Sequence, residues 1–169
     1  MILEKLPFNY LYAGAIRLTM PTARILLVNR APVDNLFAMY STLFGSAYPF
    51  SYSLDDLAAY YRAYIMLLDH WQRTLGPQLL EVAYEDVVAE PHGNGRRIAG
   101  HMGVDWDDAM VRIEANRSAS ATASAVQVRR PIYRTAAGRW RHYERHLVPL
   151  AEALETAGID PFRARGAKG

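Results

Sequence analysis

Apolar residues along this chain follow two kinds of pattern. Two stretches are short and nearly continuous, RILLVN (24–29) and LLEVAY (79–84). A run such as RILLVN suits a strand buried on both faces, as in a parallel sheet. Elsewhere the apolar residues recur at spacings of three and four. NYLYAGAIRLTM (9–20) reads as a helix that Asn9 can cap, with Leu11, Ala15 and Leu18 on one face and Pro21 as its stop. VDNLFAMYSTLF (33–44) is helical in pattern, and Pro32 suits a first turn because the N–H it lacks has no helical partner there. After a turn-rich loop, GSAYPFSYS (45–53), Ser53 opens the clearest helix, with Asp56 three residues on as in a capping box. Leu57, Tyr60, Tyr61, Tyr64, Leu68, Trp71 and Leu75 form its stripe, which reads as core packing, and Gly76-Pro77 ends it. Glu85 and Asp86 follow the second strand at a helix start, where the dipole favours acids.

The later chain is less regular. EPHGNGRRIAGHMG (90–103) predicts a weaker helix, because Gly95 and Gly100 each cost about 1 kcal/mol relative to alanine. NRSASATASAVQ (116–127) is small and polar and reads as a flexible segment. GRWRHYERHLVPLAEALETAG (138–158) spaces Trp140, Tyr143, Leu147, Leu150 and Leu154 as a helix closed by Gly158, with Pro149 expected to kink or divide it. Helices alternating with buried strands predict an α/β fold with a parallel sheet and flanking helices, as one domain over residues 1–169. Two strands fall short of the roughly four or five of an open doubly wound sheet, so the chain reads as part of one.

Composition narrows the class. At 169 residues, with 51% hydrophobic and 21% charged residues, the chain can bury a core and is not a disordered one. No apolar run approaches the roughly 20 residues of a membrane span. MILEKLPFNY lacks the features of a signal peptide, so no membrane partner and a cytoplasmic setting are expected. Without cysteine there is no disulfide framework and no thiolate metal site. The net charge of +2 says little, but residues 112–145 hold eight arginines against Glu114 and Glu144. That is a solvated basic surface or a site for a highly anionic ligand.

Several chemistries are disfavoured. His142 and His146 flank Glu144 without the spacing of a zinc helix, so no metal is expected. No Gly-x-Ser-x-Gly elbow or Gly-x4-Gly-Lys-Ser/Thr loop occurs, which speaks against a hydrolase of that kind and a kinase. The arginines lie in a loop and an amphipathic helix without a recognition motif, so nucleic acid is not expected as a partner. What remains is Arg30 and Tyr84, each at the carboxyl end of a strand, where open parallel sheets collect ligands, and the basic QVRRPIYRTAAGRWRHYE. A guanidinium beside a helix N-terminus suits a phosphate or sulfate, and an aromatic ring can stack on a base.

In this order the pieces EKLPFNYLYAGAI, PTARILLVNRAPVDN, YRAYIMLLDHW, VAYEDVV, GVDWDDA and QVRRPIYRTAAGRWRHYERHL closely resemble the bacterial sulfotransferase family related to tyrosylprotein sulfotransferases, members of which often carry tetratricopeptide repeats upstream. The resemblance implies a P-loop-like α/β fold and transfer of a sulfuryl group from 3′-phosphoadenosine 5′-phosphosulfate to a hydroxyl or amine. It makes Arg30 a ligand of the donor's 3′-phosphate, Tyr84 the residue beside the adenine, and Arg129 or Arg130 the basic group of a late loop closing on that phosphate. Ser124 becomes a further loop contact, and Lys5 takes the place of the lysine that steadies charge on the sulfuryl oxygens. A serine usual in the family eight positions after the arginine is Ala38 here. That removes one charge-assisted hydrogen bond of roughly 1.5–3 kcal/mol.

The family's phosphosulfate-binding strand–loop–helix and general base would precede Lys5, so the resemblance implies an N-terminally incomplete, truncated sulfotransferase domain, inactive or impaired by itself. The alternative is a non-catalytic nucleotide-binding or interaction remnant. An exposed sheet edge would favour self-association. Read without the resemblance, Arg30 can be an ion-pair partner of Asp34, Tyr84 a packing residue, Lys5 an idle surface cation and Trp140 part of the core. The acceptor is not named by any loop.

Overall fold

The computed structural model describes residues 2–112 and 138–167. Two strands, β1 (Ile25–Asn29) and β2 (Leu79–Ala83), pair in parallel with Ile25 opposite Leu79 and Asn29 opposite Ala83. Around them lie α1 (Ala13–Thr19), α2 (Pro32–Tyr40), α3 (Leu54–Leu75), α4 (Tyr84–Ala89), α5 (Pro91–Met102) and α6 (Glu144–Thr156). The fold is thus mostly helical with a two-stranded parallel sheet among the described residues, which agrees with the α/β expectation. No helix among those residues is long and apolar enough to cross a membrane.

The connection from β1 to β2 runs through α2 and α3, as a parallel pair requires. The Ser53 side chain accepts the Asp56 amide at 3.2 Å, so α3 starts at the predicted cap, and it ends at Gly76 as expected. Its buried Leu57, Ala58 and Tyr61 meet Val33, Leu36 and Phe37 of α2 and Leu147, Leu150 and Leu154 of α6 in the main core. A second, smaller cluster joins Ala13, Leu75 and Leu79 to Ile25, Leu27 and Trp71, closing one face of the sheet.

Several expectations need correction. β1 is not buried on both faces: Val28 is 54% exposed, because among the described residues no element covers that side of the strand there. The first helix divides into a 3₁₀ turn, Pro7–Tyr12, and a short α1. Asn9 lies inside that turn and caps nothing, and Leu18, placed by its spacing on one face with Leu11 and Ala15, is 83% exposed. Pro149 does not divide the last helix. The break falls earlier, where the 3₁₀ segment Arg139–Tyr143 passes into α6, and Pro149 sits in the second turn, where its ring removes a single hydrogen bond to Arg145.

The glycine-weakened helix formed as expected, and packing explains one of its glycines. A Cβ at Gly95 would run into the Trp106 ring, whereas Gly100 faces open space. The tryptophan in turn is held by its indole N–H, which donates to Asp108 at 2.8 Å.

Candidate functional site

The register of the sheet determines what stands at its carboxyl end. Asn29 is opposite Ala83, so the next residues, Arg30 and Tyr84, leave the sheet side by side. The Arg30 guanidinium carbon lies 5.2 Å from the centre of the Tyr84 ring, a cation–π arrangement. Its Nη2 donates to Asp34 Oδ2 at 2.6 Å, so the ion pair foreseen as the plainer role for Arg30 is present. The arginine side chain remains 25% exposed. Asp34, in the first turn of α2 and only 3% exposed, uses its other oxygen to accept the Gly138 amide at 3.1 Å.

The start of α2 is less open to an anion than the sequence suggested. The Ala31 amide donates to Glu85 Oε1 at 3.0 Å, the Val33 amide to the Pro161 carbonyl at 2.9 Å, and Pro32 has none. Protein acceptors therefore occupy these first amides, leaving the helix dipole and the Arg30 guanidinium as the cationic elements. A cleft of about 370 Å³ opens beside them, lined by Ala31, Asp34 and Glu85 together with Trp140, Arg141 and Phe162. Trp140 stacks on Phe162 with ring centres 5.1 Å apart, and the Arg141 guanidinium lies 5.2 Å from the Trp140 ring. Arg30 and Tyr84 border this cleft through their chain neighbours Ala31 and Glu85; they are not part of its lining.

Beneath the strand ends runs a polar network. Buried Asn29 donates to Glu81 Oε2 at 3.3 Å and accepts from the Tyr64 hydroxyl at 2.9 Å. Arg165 donates through Nε to the same Glu81 oxygen at 2.7 Å and through Nη1 to Asp69. Burial opposes the Arg165 charge, but the hydrogen bonds to Glu81 and Asp69 outweigh it and hold the guanidinium above its ordinary pKa. Burial likewise pushes the Tyr64 phenol above its ordinary value. The network fixes Asn29, the residue from which Arg30 departs.

Of the residues singled out in the sequence, Arg30 and Tyr84 come together. Lys5 is exposed, ahead of the Pro7–Tyr12 turn, and no hydrogen bond or ion pair among the described residues ties it to either. That turn is nonetheless linked to the network beneath the strand ends: the Tyr10 ring meets that of Tyr64 edge-on with centres 4.9 Å apart, and Tyr64 donates to Asn29. Ser124, Arg129 and Arg130 lie outside the described residues, as does the 116–127 segment. Ala38 sits on α2, and Ser41 closes that helix with its hydroxyl on the Ala38 carbonyl. Sequence reasoning missed Glu85 as the acceptor for Ala31, and Arg165 altogether. Spacing offers no signal for contacts made across 54 and 84 residues. Among the described residues no three His, Asp or Glu side chains gather as a metal would require.

Comparison with known proteins supplies the remaining observations. A family model described as "Sulfotransferase family" matches residues 1–108. The chain is also 28% identical over 157 residues to an uncharacterized protein of Aquifex aeolicus (strain VF5), an alignment covering 91% of this chain and 21% of that protein. The chain thus spans about a fifth of the length of the relative it matches.

Proposed function

We propose, from the premise that this chain belongs to the sulfotransferase family, that its strand-end site binds 3′-phosphoadenosine 5′-phosphosulfate and serves transfer of the sulfuryl group to a hydroxyl or amine acceptor. The observation that carries the reading is the pairing of Arg30 with Tyr84 where both strands end. A planar, permanently charged guanidinium suits a ribose phosphate, and the neighbouring ring suits a purine. In the transfer, the acceptor oxygen or nitrogen attacks sulfur, the sulfur–oxygen bond to the 5′-phosphate breaks, and adenosine 3′,5′-bisphosphate leaves while a base takes the acceptor's proton. Lys5 would steady charge on the sulfuryl oxygens, and Arg129, Arg130 and Ser124 would complete the 3′-phosphate contacts. Support for those four roles comes from the sequence resemblance.

A second reading, a nucleotide-binding remnant without turnover, is favoured by the sheet. It has two strands among the described residues, and no Gly-x4-Gly-Lys loop occurs in the chain to hold a 5′-phosphosulfate. On this reading the edge of β1 away from β2, which has no strand partner among the described residues, is where another strand or a second copy would pair.

Calorimetric titration with adenosine 3′,5′-bisphosphate and with adenosine 5′-monophosphate tests donor binding. The bisphosphate is expected to bind more tightly, and Arg30→Ala to erase the difference, a change on the order of tenfold for one charge-assisted contact. Equal binding of the two nucleotides, or an indifferent Arg30→Ala variant, would reject the reading. A sulfuryl-transfer assay with the same donor separates enzyme from remnant.

A further inference from the structure

We infer that Asp34 is a positioning residue of the donor site: one buried carboxylate aims the Arg30 guanidinium and ties it to the Gly138–Arg141 segment that lines the cleft. The inference rests on the donor-binding reading above and adds to it a residue that acts through Arg30.

Three observations converge on Asp34. It is nearly inaccessible, yet it stands one helical turn after an arginine that is partly open to solvent. Its two oxygens have different duties, Oδ2 taking Arg30 and Oδ1 taking the backbone amide of Gly138. It stands in the first turn of α2, where the helix dipole favours an anion. Gly138 adopts a left-handed backbone conformation and directly precedes the segment carrying Trp140 and Arg141, which wall the cleft. Asp34 therefore cannot rotate toward solvent without releasing a backbone donor.

The consequence is orientational. A free arginine side chain samples many rotamers, and a ligand would have to remove much of that freedom on binding. With Asp34 at its side and the Tyr84 ring against it, that ordering is present before ligand arrives. An acid beside a phosphate-binding arginine lowers the net charge of the site, so competition with the ligand is the opposite possibility, and the two make opposite predictions.

The test is titration of the chain and its Asp34→Asn, Asp34→Glu, Arg30→Ala and Asp34→Asn/Arg30→Ala variants with adenosine 3′,5′-bisphosphate and adenosine 5′-monophosphate. Asp34→Asn keeps an acceptor for Gly138 and removes the charge from Arg30. It is expected to weaken the bisphosphate on the order of tenfold, leave the monophosphate unchanged, and have no further effect in the Arg30→Ala background. Asp34→Glu should recover part of the loss, which a merely structural role would not produce, and it replaces Asp34→Asn if that variant does not fold. If Arg30→Ala has no effect, the donor reading itself fails. If Arg30→Ala weakens binding while Asp34→Asn leaves it unchanged, tightens it, or weakens both nucleotides alike, positioning by Asp34 is overturned and the donor reading stands.

Discussion

Arg165→Ala is expected to be among the most destabilising surface-reaching substitutions in the chain. The side chain bridges Asp69 and Glu81 and is itself 26% exposed, so its two ion pairs must be weighed separately. The Asp69 partner is 44% exposed and lies in the range where such pairs are worth about 0–1 kcal/mol. Glu81 is different, at 9% exposure, and its Oε1 already has no hydrogen-bond partner among the described residues. Removing Arg165 would leave that carboxylate, among the described residues, only the 3.3 Å contact from Asn29. Losing one partner of a buried pair costs about 3–5 kcal/mol; partial exposure of the arginine reduces this to roughly 2–3. With a urea slope of about 2 kcal/mol/M for a chain of this size, the unfolding midpoint should fall by roughly 1–1.5 M. Asp69→Asn should move it by no more than about 0.5 M. Urea melts followed by far-ultraviolet circular dichroism compare the two directly. If Arg165→Ala shifts the midpoint no more than Asp69→Asn does, Glu81 is not held by this arginine, and the account of how Asn29 is fixed is wrong.

Two further outcomes follow from packing and ionisation. Gly95→Ala should destabilise by about 1–3 kcal/mol through collision with Trp106, whereas Gly100→Ala should stabilise by up to about 1 kcal/mol; thermal melts that rank them the other way would contradict the α5 packing. Burial raises the phenol pKa of Tyr60, Tyr61 and Tyr64 above the ordinary 10.0. Their contribution to stability is thus whole below that value and is lost as pH rises above it, because the unfolded chain ionises first. Alkaline unfolding should accompany a late, cooperative appearance of tyrosinate absorbance, and three phenols titrating independently near 10.0 in the folded protein would count against this.

Local chemistry was the legible part of this chain. Ser53 and Asp56 announced the start of α3, and the two apolar runs announced strands whose parallel pairing follows from the helices between them. The position of Arg30 and Tyr84 at strand ends was likewise readable; their adjacency needed the register. Burial was harder to read. A continuous apolar run specifies a strand, but whether both faces are covered depends on neighbours that the run does not encode, and Val28 is the case in point. Leu18 makes the same point: periodicity marks a stripe without showing that anything lies against it. The Asp34 contact was visible as an i,i+4 pair, whereas its bond to Gly138 joins residues 104 apart and leaves no local trace. The occupied amides at the start of α2 were equally hidden, since Glu85 and Pro161 reach them only in three dimensions.

The placement of α6 bears on how the chain comes to be folded at all. Leu147, Leu150 and Leu154 close over Val33, Leu36, Leu57 and Tyr61, which the ribosome produces far earlier. Until those leucines arrive, two helices wait with an oily seam in water, and the closure that ends the wait joins residues 86 to 121 apart in sequence. Nascent chains should therefore linger on chaperones until α6 has been made, and fragments ending before α6 should precipitate sooner than they fold.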